Sequence, residues 1–319
     1  MMPTVRTLKT NSGKERGTLP GYLSGYDKQS EKATAGYYSV QLTGNNIKAE
    51  LTAAPHSGIM PFAFPTSRQS RIQIDLARRI GGISTLQYVK VVDDYTIARW
   101  MQCTPDGGGW GDGEGNANYT VYFYASFSKP LKNYWVWNAA IPGTANRHGE
   151  VIESGYYQQR IAEAAVLKGV KEKEGKDLGF FTEFTTTDNE PVLMKAGISL
   201  TNAVGAKANF DSEIRNWDFD KVHANAVGRW NKTLSKIKIS GVTAEEKKVF
   251  YTELYHIMID PRSMQDINGN YTGADHLVHD SKQFTILRKG QNSESFSLKN
   301  SLIYPLRSIS RLYSVDRMF

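Results

Sequence analysis

Alternation of apolar and polar residues dominates the chain from about residue 36 to residue 199. Gly36–Leu42 and Ile47–Thr52 alternate on either side of a Thr-Gly-Asn-Asn turn, which predicts a β-hairpin. The same period of two recurs in segments that begin at Phe62, Arg71, Gln87, Tyr95, Tyr119, Gly179 and Val192. About ten short strands separated by turns, with little helical signal among them, predict an antiparallel β-sandwich.

Three stretches interrupt this alternation. Residues 1–35 are polar and contain several Gly and Pro residues, so we expect irregular surface chain there. The segment Gln158–Gly175 is rich in Ala, Glu and Lys, which indicates a short surface helix or a charged loop. The glycine-rich run Asp106–Gly115 has no Lys-Ser/Thr after it and opens no helix, so a phosphate-binding loop is excluded. A flexible connector is the favoured interpretation, and Trp110 as a sugar-stacking tip is the alternative.

Helical periodicity replaces the alternation after Gly205. Asp218 is placed to cap a helix whose apolar positions, at near-fourfold spacing, are Val222, Ala226, Trp230, Leu234 and Ile237. Thr243 and Glu246 form a capping box at the start of a further helix. Its apolar face carries Val249, Phe250, Leu254, Ile257 and Met258, and Pro261 ends it. We expect that face to need a packing partner.

The change of period marks a domain boundary between about residues 205 and 215. With 319 residues, the chain is long enough for two domains. We therefore predict a mainly β fold with added α structure, divided into a sandwich domain over 1–207, a partial helical domain over 208–282 and a divergent basic tail over 283–319.

Charge and composition exclude several classes of function. The net charge is +7, but the tail from Gln283 contributes +4 of it, from six basic and two acidic residues, so the rest gives no basic surface typical of nucleic-acid binding. Cys103 is the single cysteine, which excludes an internal disulfide. No apolar run is long enough to span a bilayer, and the start carries no export signal.

Candidate metal ligands cluster in the turn-rich stretch from Asp266 to Asp275. Asp266, Asn268 and Asn270 match the first half of an EF-hand loop, but the sixth position is Tyr271 instead of Gly and the twelfth is Leu277 instead of Glu. His276 and His279 are three residues apart without a third ligand, so we predict surface histidines. We expect turn structure here and no calcium site.

Several ordered motifs carry a resemblance to a known family. They are Asn216-Trp-Asp-Phe-Asp, Trp230-Asn-Lys-Thr, Phe250-Tyr-Thr-Glu-Leu-Tyr-His and Pro261-Arg-Ser-Met-Gln-Asp-Ile-Asn-Gly, preceded by Glu31-Lys-Ala-Thr-Ala-Gly-Tyr-Tyr and Arg71-Ile-Gln-Ile-Asp-Leu. Together they resemble the α-mannosidases of glycoside hydrolase family 92, over about residues 3–280. The resemblance implies a β-sandwich packed on an (α/α)₆ catalytic barrel, of which this chain carries the first helices.

The resemblance also implies a chemistry. Family members are calcium-dependent, periplasmic or extracellular, and release terminal α-mannose from N-glycans or mannan. It further implies that the chain is truncated at both ends, because an export signal and part of the substrate surface would precede it. The catalytic acid, the catalytic base and the calcium ligands would follow about Ser281. We therefore expect no catalytic residue and no bound calcium on this chain. We also expect that the chain is inactive by itself and that it self-associates through the exposed helical face.

Two questions stay open on the sequence alone. His256, Arg262 and Asp275 are polar residues on the family-like helical segment, and we predict that they border the substrate pocket of a complete enzyme; helix-end and turn stabilisation is the alternative. The second candidate function is a non-catalytic carbohydrate-binding sandwich that uses Trp110, Trp135 or Trp137 as stacking platforms. For these tryptophans, core packing is the favoured interpretation.

Overall fold

Strands are the commonest element of the computed structural model, which describes residues 1–10, 21–77, 83–104, 119–138, 163–259, 262–273, 275–281, 285–288 and 295–298. The strands before the first helix are β1 (Met2–Thr4), β2 (Tyr26–Thr34), β3 (Tyr37–Leu42), β4 (Ile47–Ala53), β5 (Ser57–Phe64), β6 (Ser67–Asp75), β7 (Ile83–Asp93), β8 (Thr96–Thr104), β9 (Tyr119–Phe127), β10 (Asn133–Asn138), β11 (Ala165–Lys168), β12 (Glu172–Gly175), β13 (Leu178–Thr186) and β14 (Glu190–Ser199).

Helices and short strands make up the rest of the described chain. The helices are α1 (Ala203–Glu213), α2 (Phe219–Leu234) and α3 (Ala244–Ile259). The strands after them are β15 (Arg262–Ser263), β16 (Asn270–Thr272), β17 (Val278–Asp280), β18 (Thr285–Arg288) and β19 (Ser295–Leu298). β16 pairs with β17, and β18 pairs with both β15 and β19.

Two antiparallel sheets face each other and enclose the main core. One has five strands in the order β1-β6-β13-β10-β11, and the other has nine in the order β12-β7-β8-β9-β14-β5-β4-β3-β2. Ile72 and Phe180 from the smaller sheet pack in one buried cluster with Ile97, Phe127 and Val192 from the larger one. Burial of apolar area between the sheets is the main stabilising contribution of such a fold. The predicted sandwich is confirmed.

Two sequence-based predictions about irregular segments are wrong. Residues 1–35 were expected to be irregular, yet β1 pairs with β6 and β2 pairs with β3. The described part of Gln158–Gly175 is neither helix nor plain loop, because β11 pairs with β10 and β12 pairs with β7. All four are edge strands of the two sheets. β2, β11 and β12 contain no fully buried residue, so they lack the apolar alternation of a half-buried strand.

The helix starts follow the predicted caps. The Asp218 carboxylate accepts a hydrogen bond from the backbone N–H of Lys221 at 2.9 Å and so caps α2. At α3 the capping box is complete, since Glu246 N–H donates to Thr243 Oγ1 at 3.2 Å and Thr243 N–H donates to Glu246 Oε2 at 2.8 Å. α3 ends at Ile259, next to Pro261, which lies outside the described residues.

The three helices differ in how firmly they contact the sandwich. α1 lies on the outer face of the nine-stranded sheet, where the Phe210 ring meets the Tyr124 ring at 5.0 Å. α2 approaches the turn between β2 and β3 so closely that a Cβ on Gly36 would lie 2.9 Å from Ala226 Cβ. α3 contacts α2 through the Trp230 and Tyr255 rings, 4.6 Å apart. Val249 of α3 is 60% exposed, so part of its apolar face is uncovered by the described residues.

None of the helices in the described part of the chain combines the length and the apolar character that a membrane crossing requires.

Candidate functional site

A buried carboxylate joins the sandwich to the helical segment. Asp266 is 4% exposed and lies in the turn between β15 and β16. Its carboxylate accepts hydrogen bonds from Ser199 Oγ at 2.7 Å, from Asn209 Nδ2 at 2.8 Å and from the Thr201 hydroxyl. Because Ser199 ends β14 and Asn209 lies in α1, one side chain connects three segments that are far apart in sequence.

The backbone around Asp266 is equally constrained. The N–H of Asp266 donates to the Asn270 carbonyl at 2.7 Å, and the N–H of Ile267 donates to Asn209 Oδ1 at 2.8 Å. Thr272 Oγ1 donates to the Leu200 carbonyl at 2.6 Å. Residues 266–272 are therefore a fixed turn held against the end of the sandwich, and the Asp266 oxygens are used by protein donors. The turn itself was predicted, but the burial of Asp266 was not.

A second polar contact ties the β4–β5 turn to the end of α1. The Glu213 carboxylate accepts from the backbone N–H of His56 and lies against His56 Nδ1, both at 2.9 Å. Burial works to raise the pKa of Glu213, but the hydrogen bonds from His56 outweigh it and hold that pKa below its usual value. The ionised carboxylate is therefore the form that this contact favours.

Lys195 is a buried cation beneath the turn that follows α1. Its ammonium group donates to the Ile214 carbonyl at 3.1 Å and lies 4.7 Å and 4.8 Å from the ring centroids of Phe210 and Trp217. Burial lowers the pKa of the Lys195 amine. The hydrogen bond closes the carboxyl end of α1, where unsatisfied carbonyls favour a positive charge.

The structure places the three predicted pocket residues in separate local settings. The side chain of His256 is 57% exposed in the last turn of α3, and its Nδ1 atom lies 3.9 Å from the Glu253 carboxylate. Arg262 is in β15, where its backbone pairs with Arg288. Asp275 lies in the turn that joins β16 to β17. The role of these three residues in a pocket stays a prediction.

Asp275 forms a pair with His279 on the exposed β16–β17 hairpin. The His279 Nε2 atom lies 3.0 Å and 2.9 Å from the two carboxylate oxygens, and the Leu277 N–H donates to Oδ1 at 3.0 Å. The His279 hydrogen bond, followed by that of Leu277, lowers the pKa of Asp275. The Tyr271 ring lies 5.6 Å from the His279 ring. As predicted, the histidines of this stretch are surface groups.

The described residues offer no ready metal centre. Within them, no group of three or more His, Cys, Asp or Glu side chains is arranged to hold an ion. Asp266, the first residue of the EF-hand-like spacing, already accepts from Ser199, Thr201 and Asn209. The residues that the structure describes therefore do not fit the calcium ion that the family resemblance implies.

The three tryptophans proposed as sugar-stacking platforms differ in their surroundings. Trp137 is 1% exposed and belongs to the interior, and Gly179 opposite it leaves space for its indole ring. Trp135 stacks on Phe181 with ring centroids 4.8 Å apart and planes 5° from parallel. Trp110 lies outside the described residues. Core packing is thus confirmed for Trp137, and one face of the Trp135 ring is occupied by Phe181.

Family models match both parts of this architecture. The glycosyl hydrolase family 92 N-terminal domain matches residues 1–199, and the glycosyl hydrolase family 92 catalytic domain matches residues 205–289. The chain therefore belongs to glycosyl hydrolase family 92, as the motif resemblance indicated. The finer division at residue 207 stays a prediction.

Individual relatives agree with this assignment. A family GH92 α-mannosidase from Bacteroides thetaiotaomicron matches this structure with a TM-score of 0.74 and 26% sequence identity. The match covers 90% of this chain and 35% of the mannosidase chain. That mannosidase has also been solved in complex with mannoimidazole. A family GH92 inverting mannosidase from the same organism shares the fold, at a TM-score of 0.61 and 18% identity, covering 94% of this chain and 34% of its own.

The chain is also similar to a curated protein from a second organism. An uncharacterised secreted glycosidase from Arthroderma benhamiae is 26% identical over 274 residues, which are 79% of this chain and 30% of the relative. The chain thus spans about a third of the length of the relatives it matches.

Proposed function

We propose that this chain forms the sandwich and the first catalytic-domain helices of an exo-acting α-mannosidase that removes terminal α-mannose from N-glycans or mannan. The observation that carries the proposal is the match to both family domains, together with the likeness to an α-mannosidase at a TM-score of 0.74. The secreted relative supports an extracellular or periplasmic place of action.

The acid and base of the reaction belong, in this proposal, to polypeptide outside residues 1–319. Inverting glycoside hydrolysis needs two carboxyl groups about 6.5–9.5 Å apart, one to protonate the leaving oxygen and one to activate water. Asp266 and Glu213 are buried carboxylates at the junction, but both accept hydrogen bonds from the protein and hold segments together. Their contacts support structural roles, so we expect the chain alone to be inactive.

Calcium dependence is a further part of the proposal and rests on the resemblance alone. The ion would act in the complete enzyme, and no step of the reaction is assigned to it on this chain. The non-catalytic sugar-binding alternative gains no support from Trp137, which is buried, or from Trp135, whose ring is stacked on Phe181.

The test combines a turnover assay with a binding assay on the purified chain. Hydrolysis of p-nitrophenyl α-mannoside is followed with calcium and with a chelator, beside a titration with yeast mannan. We expect no turnover in either condition; mannan binding without turnover would support a sugar-binding role for this chain. Turnover would contradict the placement of the acid and base outside the chain, and preference for a mannose-free polysaccharide would contradict the proposed substrate.

A further inference from the structure

An aromatic row crosses three neighbouring strands of the nine-stranded sheet. Tyr88 of β7 lies opposite Trp100 of β8, and Trp100 lies opposite Tyr122 of β9. Directly opposed residues of antiparallel strands project from the same face. The Tyr88 and Trp100 rings meet edge to face with centroids 5.9 Å apart. These three residues are called the aromatic row below.

The row lies on the outer face of the sandwich. Val89 and Phe123, which adjoin Tyr88 and Tyr122 in sequence, are buried in the core between the sheets, at 1% and 7% exposure. Because successive side chains of a strand point to opposite faces, the aromatic row points away from that core. All three of its members remain partly exposed to solvent. Hydrophobic burial between the sheets therefore does not explain these rings.

Polar groups that form hydrogen bonds border the row on the side away from α1. Gln102 and Thr120 are opposite each other in β8 and β9, two residues from Trp100 and Tyr122, and so share the outer face. Gln102 is exposed. An amide and a hydroxyl can each donate and accept hydrogen bonds, as a ligand rich in hydroxyl groups requires.

Charges at the β12 end of the row cancel. The Tyr88 hydroxyl donates to Glu172 at 2.9 Å, and Lys90 pairs with the same carboxylate at 3.1 Å. The Arg99 guanidinium lies 5.6 Å from the centroid of the Tyr88 ring, and Glu174 is opposite Tyr88 in β12. Two acidic and two basic groups leave no net charge, which matches an uncharged partner better than a nucleic acid or a charged peptide.

The other end of the row reaches the junction described above. Tyr122 lies opposite Ser199, the residue whose hydroxyl donates to Asp266. The row therefore leads from the β12 edge of the sheet to the fixed turn 266–272 and the helical segment. A chain of sugar units following this face would run towards the domain that carries the family's catalytic function.

We propose that the aromatic row is a glycan-binding surface that takes the mannan chain of the substrate. The proposal rests on the proposed function for its choice of sugar. Partly exposed aromatic rings provide apolar faces for the C–H groups of pyranose rings, and the neighbouring amide, hydroxyl and carboxylate groups meet the sugar hydroxyls. Local neutrality fits a neutral polysaccharide, and the place of the row beside the junction gives the bound chain a direction.

The experiment measures binding of yeast mannan and of a mannose-free β-glucan to the purified full chain by affinity electrophoresis. The variants are Trp100→Ala, Trp100→Phe and Tyr122→Ala. The control is Tyr26→Ala, because Tyr26 is 52% exposed on β2 at the opposite edge of the same sheet. Urea unfolding of each variant shows whether it is folded, and sedimentation velocity reports its oligomeric state.

We expect Trp100→Ala and Tyr122→Ala to weaken mannan binding about five- to tenfold, as the loss of one aromatic contact does. Trp100→Phe should keep most of the affinity, and Tyr26→Ala should match the wild type. Trp100→Phe keeps an aromatic ring, so the comparison stays informative if Trp100→Ala does not fold.

Three results would overturn the glycan-binding surface. The first is that the wild-type chain binds neither polysaccharide, and the second is that the wild type and Trp100→Ala bind mannan equally. The third is that the variants of the aromatic row change only self-association, which would assign this face to a second copy of the chain. Equal mannan binding in the variants would leave the proposed function standing. Trp100-dependent binding of β-glucan without mannan binding would support a glycan surface while contradicting the mannose substrate.

Discussion

Asp266 shows how a single residue can determine where two parts of the chain meet. Its carboxylate accepts from Ser199 at the end of β14 and from Asn209 in α1, and it is 4% exposed. A carboxylate that leaves water must be compensated by donors, and here the protein supplies them. Gly205 is part of the same arrangement, because a Cβ there would lie 2.7 Å from Ser199 Oγ and collide with the Asp266 carboxylate.

Replacing Asp266 with Ala should destabilise the chain by about 3 kcal/mol, because Ser199, Thr201 and Asn209 would lose a charged acceptor in a buried place. Urea unfolding measures the change. Asp266→Asn should cost less, since the amide oxygen still accepts. Asp188→Ala, at an exposed turn, is the matched control and should leave the urea concentration at the unfolding midpoint unchanged. An unchanged midpoint for Asp266→Ala would contradict the structural role.

Glu213 makes the stability of the same junction depend on pH. Its folded-state pKa is below its usual value because the His56 hydrogen bonds outweigh burial. The ionised carboxylate therefore stabilises the fold above the unfolded-state pKa of about 4.3, and this contribution is lost as the pH falls through the lower folded-state pKa.

Glu213→Gln should accordingly lower the free energy of unfolding by about 1–2 kcal/mol at pH 7. The difference from wild type should vanish as the pH falls below the folded-state pKa. Urea unfolding from pH 7 to pH 3 measures it, with Glu245→Gln in the first turn of α3 as the control. A difference between wild type and Glu213→Gln that does not vary with pH would show that the carboxylate charge is not involved.

At the scale of elements, α3 depends on the capping box at its amino end. Thr243→Ala should cost the helix about 1 kcal/mol, because the N–H of Glu246 loses its acceptor. Hydrogen exchange of the α3 amides, compared with those of α1, measures the local effect. Thr252→Ala, an exposed site within the same helix, should not speed exchange, because Ala is the better helix former. Equal exchange in the two variants would contradict the capping role.

Local signals in the sequence were enough for the elements with strong patterns. The β3–β4 hairpin, the α2 cap at Asp218 and the α3 capping box depend on residues close together in the chain, and all three are confirmed. β2 and β12 were missed because edge strands are held by backbone pairing to a neighbour, and their exposed side chains need no alternation.

The surroundings of Asp266 and the aromatic row were less predictable than the fold, because both depend on contacts between residues that are far apart in the sequence. The burial of Asp266 depends on Ser199 and Asn209, which are 67 and 57 residues away, so no local spacing reveals it. The aromatic row depends on the register of three strands, although Tyr88, Trp100 and Tyr122 each belong to a segment read as a strand. Pairing brings these residues together, and pairing is a property of the folded chain.

At the scale of the whole molecule, an uncovered helical surface accompanies a well-packed sandwich. Val249 is 60% exposed and Ile259 is 45% exposed on α3, while Leu254 is 3% exposed. Large exposed apolar side chains on one helix favour association. The chain spans about a third of the length of its relatives, which supports the proposal that this surface meets further catalytic-domain helices in the complete enzyme.

We expect the purified chain to self-associate through α3. Val249→Lys combined with Ile259→Lys should shift the sedimentation velocity profile towards monomer, because two charges would have to leave water in the contact. Val92→Lys is the control, since Val92 is 45% exposed on the sandwich and away from α3. If the double variant and the control sediment alike, then α3 is not the contact surface.

The release of free mannose from yeast mannan by the purified chain, in the presence of calcium, tests the central claim most directly. The chain is proposed to have the scaffold of an α-mannosidase while the acid and base lie outside it. We therefore expect mannan to be bound and free mannose to stay at the level of the protein-free blank. Mannose release that rises in proportion to the amount of chain would contradict this account.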